Sequence, residues 1–164
     1  MRTNLTRHEI SNLVKSDLNQ MAARLKELRE LRAEVVTAFS LPAWCPSAVP
    51  RNTSASFRRQ EAAILRASNI DDRINCIKAQ IQSYIDVIRA NRESVANPDE
   101  KIYILERRYL DGVEWAKIQS ELFGDNDKNK IKRKMYRLHD SACADVFIYW
   151  ETVGRGEKTC LKKV

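Results

Sequence analysis

The sequence is poor in the residues that mark sheets, disulfide frameworks and membrane spans. Only four of its 164 residues are glycine and 31% are charged, a composition that favours long helices over sheets. Its four cysteines form no CxxC pair and only two histidines are present, so neither a disulfide framework nor a structural zinc site is expected. No apolar run approaches the roughly 18–20 residues that a membrane-spanning helix needs, and the first ten residues lack the apolar stretch of a signal peptide. We therefore predict an all-α, cytoplasmic protein that has no metal or other cofactor and does not bind membranes.

Motifs that carry catalysis are also missing. The chain has no glycine-rich phosphate loop, no metal-ligand cluster, and no Ser/His/Asp or Cys/His arrangement at a spacing that would align the groups. We therefore do not expect an enzyme. The formal charge of +7 and the sequence pI of about 9.4 instead indicate an anionic partner.

The N-terminal segment has the heptad spacing of a helix that packs along another helix. Residues 1–40 include a capping box at Thr6 and Glu9, and no proline or glycine follows it within this segment. Apolar residues occupy the a and d positions, with Arg32 as the one polar interruption: Leu18, Met21, Leu25, Leu28, Val35 and Phe39. The pattern predicts a long helix, either in a coiled coil with a partner helix or as one helix of a compact bundle.

A proline-rich linker separates this helix from a second one. Residues 41–56 contain three of the four prolines, so we predict a non-helical, partly extended linker. In residues 57–96, apolar side chains alternate three and four residues apart and predict a second long helix, which can fold back on the first as an antiparallel hairpin. The same stripe is a candidate partner or dimer interface, made of Ile70, Ile74, Ile77, Ile81, Tyr84 and Ile88.

Residues 97–150 have the pattern of a small domain of three helices. Asn97-Pro98 is a helix start signal, Asp111-Gly112 is a break, and Trp115 opens a short second helix. A turn at residues 123–126 then leads into a basic third helix that begins at about Asp127. This order of helices and turns is typical of a helix-turn-helix unit. Residues 151–164 are expected to form a basic flexible tail.

The basic helix combines fixed cations with an apolar stripe. Six Lys or Arg and one acid lie between Asp127 and Leu138, while Ile131, Met135 and Leu138 follow at i, i+4 and i+7. Such a helix buries one face and suits the major groove of DNA with the other, although a solvated basic face is the alternative. Candidate base contacts are Asn129, Lys130 and Arg133, because Arg pairs with guanine and Asn with adenine. Candidate phosphate contacts are Lys128, Lys132, Lys134, Tyr136 and Arg137.

Residues 105–139, LERRYLDGVEWAKIQSELFG…IKRKMYRLH, carry a family resemblance. The pieces that carry it are Arg108-Tyr109-Leu110-Asp111-Gly112, then Trp115 and Ile118, then Tyr136-Arg137-Leu138-His139. They resemble the sigma-70 region-4-like helix-turn-helix of phage and prophage transcription regulators of the RinA and ArpU type. The resemblance implies a DNA-binding activator of a phage or phage-island late operon that helps RNA polymerase in the bacterial host cell. It does not imply the operator, because residues 125–130 depart from a common recognition-helix start.

Two other functions fit the same layout. A helical adaptor, such as an anti-repressor, would bind a protein through the hairpin and would lose its partner when Ile77 or Ile81 becomes charged. A small-terminase-like packaging protein also joins a helix-turn-helix to a coiled coil, but it usually places the DNA-binding part first. For the DNA-binding function we expect a homodimer. Heptad surface of the hairpin that the chain's own helices leave uncovered, and binding to two DNA half-sites, both favour two-fold symmetry.

Overall fold

The computed structural model describes residues 6–40, 53–124 and 128–153, and all regular structure in these ranges is helical. The elements are α1 (Arg7–Ser40), α2 (Thr53–Ala90), α3 (Pro98–Leu105), α4 (Trp115–Phe123) and α5 (Lys128–Val153). A π-helical turn, Glu106–Leu110, continues α3. The all-α class and the long N-terminal helix are thus confirmed. Within the described ranges, no helix has the length and apolar composition that crossing a bilayer requires.

The helix boundaries differ from prediction at the linker and at the end of α2. Helix α2 begins at Thr53, so the last four residues of the predicted linker are helical. No proline lies between Pro50 and Pro98, and the chain can therefore turn helical soon after Pro50. Helix α2 ends at Ala90 and a turn precedes α3. Residues 41–52 of the predicted linker and 154–164 of the predicted tail lie outside the described residues.

The chain divides into two compact units, and the division does not follow the predicted boundary at residue 97. The first unit takes Met1–Ala22 and Ala79–Val164, and the second takes Ala23–Lys78. The N-terminal part of α1 and the C-terminal part of α2 therefore belong to the same unit as α3, α4 and α5. Polar contacts explain this grouping, because Arg7 and Lys15 of α1 pair with acids of α5, and Arg89 of α2 pairs with Glu106.

The second unit contains the hairpin seam that the heptads predict. Its described residues belong to α1 and α2 alone, and the buried apolar side chains recur at heptad spacing: Leu25, Leu28, Ala63, Ile70, Ile74 and Ile77. The Arg32 guanidinium pairs with the Asp71 carboxylate across the two helices. Arg32, the polar interruption of the first stripe, is therefore accommodated by a charge partner at the edge of the seam.

The isoleucine stripe is not an available partner surface, which corrects the predicted interface. Its five isoleucines (Ile70, Ile74, Ile77, Ile81 and Ile88) are all 7% exposed or less within the single chain. Tyr84, the sixth member, is half-buried and has its ring centroid 4.9 Å from that of Trp150. The physical reason is that the chain's own helices occupy the seam. A heptad pattern shows that a helix face is buried, but it cannot show whether the covering helix belongs to the same chain.

Candidate nucleic-acid interface

Helices α3, α4 and α5 share one apolar core, which fixes the orientation of α5. Ile104, Ile118 and Met135 are fully buried, and Leu138 is nearly so. Tyr103, Val113, Trp115, Leu122 and Phe123 pack around these four side chains. Each of the three helices thus contributes at least one buried residue. The apolar stripe predicted for the basic helix forms part of this core, although Ile131 at its start is only half-buried.

An ion-pair cluster joins α4 to the π-helical turn. The Arg107 guanidinium donates to both Glu121 carboxylate oxygens, at 2.7 and 3.1 Å, and donates to Asp111 at 2.8 Å. The Tyr103 hydroxyl donates to Glu121 at 2.7 Å. Hydrogen bonds from Arg107 and Tyr103 lower the pKa of Glu121 to about 2. This cluster holds α4 against the preceding turn across the break at Gly112, whose φ is 73°.

Helix α4 ends at a glycine with a backbone conformation that other residues rarely adopt. Gly124 has φ 69° and ψ −164° and donates its N–H to the Ser120 carbonyl, ending α4. The C-terminal end of α4 and the first turns of α5 approach each other through Lys134, whose ammonium lies 4.7 Å from the Phe123 ring centroid. One of the predicted phosphate contacts therefore lies against the aromatic end of α4.

The outward face of α5 carries four of the predicted DNA-contacting residues. Counted at about 100° per residue from buried Met135, Arg133 and Arg137 lie about 20° from the opposite direction, Lys130 about 40° and Asn129 about 60°. All four are exposed, as is Lys132. Among the described residues, no hydrogen bond or ion pair joins any of these side chains to a carboxylate. The side chain of Lys128 lies outside the described residues.

Tyr136 has a different position from the other predicted phosphate contacts. It is 37% exposed, and its ring centroid lies 5.4 Å from that of Trp115. Trp115 in turn has the Arg108 guanidinium 5.1 Å from its ring centroid. Tyr136 therefore sits at the border between the exposed face and the core, with one side of its ring on α4.

A buried polar network that the sequence did not predict joins α5 to the π-helical turn. The buried Tyr109 hydroxyl and the His139 Nε2 atom are 2.8 Å apart, and the Cys143 sulfur lies 3.7 Å from the same nitrogen. Burial lowers the pKa of His139 to about 4 and raises that of Cys143 to about 12. His139 is thus neutral at pH 7. Because its Nδ1 atom lies 3.7 Å from the Asp140 carboxylate, we assign the ring proton to Nδ1, so that Nε2 accepts a hydrogen bond from the Tyr109 hydroxyl.

Two acids of α5, Asp140 and Asp145, pair with cations of other elements. Lys101, only 2% exposed, pairs with Asp145 at 2.6 Å, and Arg7 donates to the other oxygen of the same carboxylate at 3.2 Å. Lys15 pairs with Asp140 at 2.6 Å, and the Ser11 hydroxyl donates to the Asp140 carbonyl. These partners lie on α1 and α3. Sequence patterns could not identify them, because each pair joins residues 44 or more positions apart.

No family model, no curated protein and no solved structure matches the chain. The resemblance to region-4-like regulators therefore stays a prediction.

Proposed function

We propose that the chain binds double-stranded DNA through the exposed basic face of α5 and acts as a transcription regulator. One observation carries the proposal. Asn129, Lys130, Arg133 and Arg137 project from a helix whose opposite face is fixed in a three-helix core, and no described acid neutralises them. A rigid helix that presents cations on its outer face fits the major groove and the phosphates beside it.

Different residues of this face have different proposed roles. Asn129, Lys130 and Arg133 lie in the first turns of α5, the part of a recognition helix that reaches base edges. Arg133 suits guanine and Asn129 suits adenine, since each can form a paired set of hydrogen bonds with one base edge. The proposed phosphate contacts are Lys128, Lys132, Lys134, Tyr136 and Arg137, which would supply affinity without reading sequence.

The regulatory part of the proposal rests on the resemblance to phage and prophage regulators of the RinA and ArpU type. According to this part of the proposal, the chain activates a phage or phage-island late operon in the bacterial cytoplasm and works together with RNA polymerase. Binding as a homodimer to two half-sites belongs to the same proposal. Because the isoleucine stripe is buried within one chain, a dimer would have to form through other residues.

Selection of binding sites from a random duplex library tests the DNA-binding proposal. The wild-type chain should enrich one short motif, and Arg133→Ala should relax the preference at one position and weaken binding by about 1–3 kcal/mol. Arg24→Ala is the matched control, because Arg24 is also an exposed helical arginine but belongs to the second unit. Equal affinity of the wild-type chain for unrelated duplexes at moderate salt would refute sequence-specific binding.

A further inference from the structure

Two cation–aromatic pairs lie on opposite sides of α5. On one side, the Lys134 ammonium lies 4.7 Å from the Phe123 ring centroid. On the other side, the Tyr136 ring packs beside Trp115, whose ring centroid has the Arg108 guanidinium 5.1 Å away. At about 100° per residue, Lys134 and Tyr136 point about 160° apart around the helix axis. The Lys134–Phe123 and Arg108–Trp115 pairs therefore flank the outward face of α5.

Arg108 differs from the arginine next to it in how its charge is compensated. Arg107 donates to the carboxylates of Glu121 and Asp111. Arg108 instead donates to the neutral carbonyl of Val113 at 3.2 Å, and no ion pair joins it to an acid within the described ranges. Its side chain is half-buried and therefore still reaches solvent. Arg108 is thus a positioned cation that can still meet an external anion.

The aromatic partner of each pair holds a cation without neutralising it. A guanidinium or ammonium group within about 6 Å of a ring centroid is attracted to the ring face, which carries no net charge. A long cationic side chain that is already held loses less rotamer freedom when it binds. Trp115 is itself held in place, since its ring centroid also lies 4.9 Å from that of the buried His139. Both flanks of α5 thus present cations whose positions are set before an anion arrives.

We propose that the two pairs bind phosphates on opposite strands of one DNA duplex, with Arg108 as a phosphate contact that extends the interface beyond α5. This inference rests on the proposed function, because it requires α5 to lie in the major groove. A helix with its side chains is about 10–12 Å across, and the groove is about 12 Å wide. A helix that fills the groove has one phosphate backbone beside each flank.

The position of Arg108 favours a phosphate over a base edge. Arg108 belongs to the π-helical turn, outside α5, and it is joined to α5 through the Trp115 and Tyr136 rings. Base edges form the floor of the major groove and phosphates form its rims, so a cation beside the recognition helix meets phosphates first. The planar guanidinium can also donate two parallel hydrogen bonds to one phosphate.

Methylphosphonate substitution tests the inference with the full-length chain and the duplex that it prefers. Each phosphate near the preferred motif is replaced singly, on either strand, by a neutral methylphosphonate, and binding is measured by fluorescence anisotropy. Arg108→Gln and Lys134→Gln should each weaken binding to the unmodified duplex about tenfold. Each variant should then be insensitive to neutralisation of the one phosphate that its cation contacts, whereas the wild type loses affinity there. The two phosphates should lie on opposite strands.

Salt dependence separates a phosphate contact from a purely structural role of Arg108. Arg108→Gln should reduce the magnitude of the slope of log K against log[salt] by about 1, whereas Arg108→Lys keeps the charge and should retain the slope. Arg24→Gln is the matched control, because it removes the same charge from an exposed helical arginine of the second unit and should change neither affinity nor slope. If circular dichroism shows Arg108→Gln to be unfolded, Arg108→Met, which keeps an apolar stem against Trp115, takes its place.

Three results would overturn the inference. Wild-type affinity or an unchanged slope for Arg108→Gln would remove Arg108 from the interface while leaving DNA binding through α5 intact. Two insensitive phosphates on the same strand would contradict the flanking arrangement. If the wild-type chain prefers no duplex, the proposed function fails, and this inference fails with it.

Discussion

His139 links the basic helix to the turn beneath it through a single hydrogen bond. It is buried, neutral at pH 7 and 2.8 Å from the Tyr109 hydroxyl, while its ring centroid lies 4.9 Å from that of Trp115. Protonation would place an extra charge in this site and remove the acceptor that Tyr109 uses. The buried histidine therefore makes the stability of the first unit sensitive to acid.

We expect the free energy of unfolding to decrease when the pH is lowered from 7 to 5. The pKa of His139 is lowered from 6.5 to about 4 by burial, so the unfolded chain binds the proton first as pH falls. The neutral His139 ring contributes its full stabilisation above pH 6.5, and this contribution is lost as the pH falls toward 4. At pH 5 the loss should amount to about 1–2 kcal/mol of the free energy of unfolding. Urea unfolding at both pH values measures it. His139→Gln should abolish most of this loss, whereas His8→Gln, which changes the chain's other, exposed histidine, should retain it.

The buried Lys101–Asp145 pair makes a second residue-scale prediction. Asp145→Ala would leave the Lys101 ammonium buried without a carboxylate, at a cost of about 3–5 kcal/mol in the free energy of unfolding. Asp140→Ala is the control, because the Asp140 side chain is 45% exposed and its pair with Lys15 should contribute less than about 1 kcal/mol. The double variant Lys101→Met/Asp145→Leu should recover most of the loss in urea unfolding. Equal losses for Asp145→Ala and Asp140→Ala would contradict the argument.

At the scale of elements, α4 ends at a residue with an unusual backbone conformation. Gly124 has positive φ and extended ψ, a region that residues with a Cβ atom rarely adopt. A Cβ atom built there meets no neighbour within 4 Å, so any cost of substitution comes from the backbone alone. We expect Gly124→Ala to destabilise the chain by about 1–3 kcal/mol, measured by urea unfolding at pH 7. An unchanged unfolding midpoint would show that the backbone at residue 124 relaxes to another conformation.

Helix positions and buried faces could be predicted from the sequence to the extent that they depend on local pattern. The stripe of Met135 and Leu138, the break at Gly112 and the start of α3 after Asn97 all follow from spacing or from backbone preference. Even there, Asn97 has a left-handed backbone and makes no side-chain capping hydrogen bond. The exposure of Asn129, Lys130 and Arg133 agrees with the predicted outward face.

What could not be predicted depends on contacts between residues far apart in sequence. The pairing of Arg7 and Lys101 with Asp145 groups the start of α1 with α5, and no local pattern encodes it. The same limitation applies to the isoleucine stripe, whose periodicity is identical whether a helix of the same chain or of a second copy covers it. The Arg32–Asp71 pair is another example, because its two residues lie on different helices and are 39 positions apart in sequence.

At the scale of the whole molecule, the +7 charge makes any binding to an anion salt-dependent, and the position of the charges decides which residues set that dependence. If Lys128, Lys132, Lys134 and Arg137 each neutralise a phosphate, log K for a specific duplex should fall with log[salt] with a slope of about −4 per bound protomer. Lys132→Ala should reduce the magnitude of this slope by about 1.

Lys78→Ala removes the same net charge from the second unit and should leave the slope unchanged. Fluorescence anisotropy between 50 and 200 mM salt, roughly the range in which counterion release dominates, measures both. Equal slopes for wild type and Lys132→Ala, or equal reductions for the two variants, would mean that net charge, and not the face of α5, attracts the DNA.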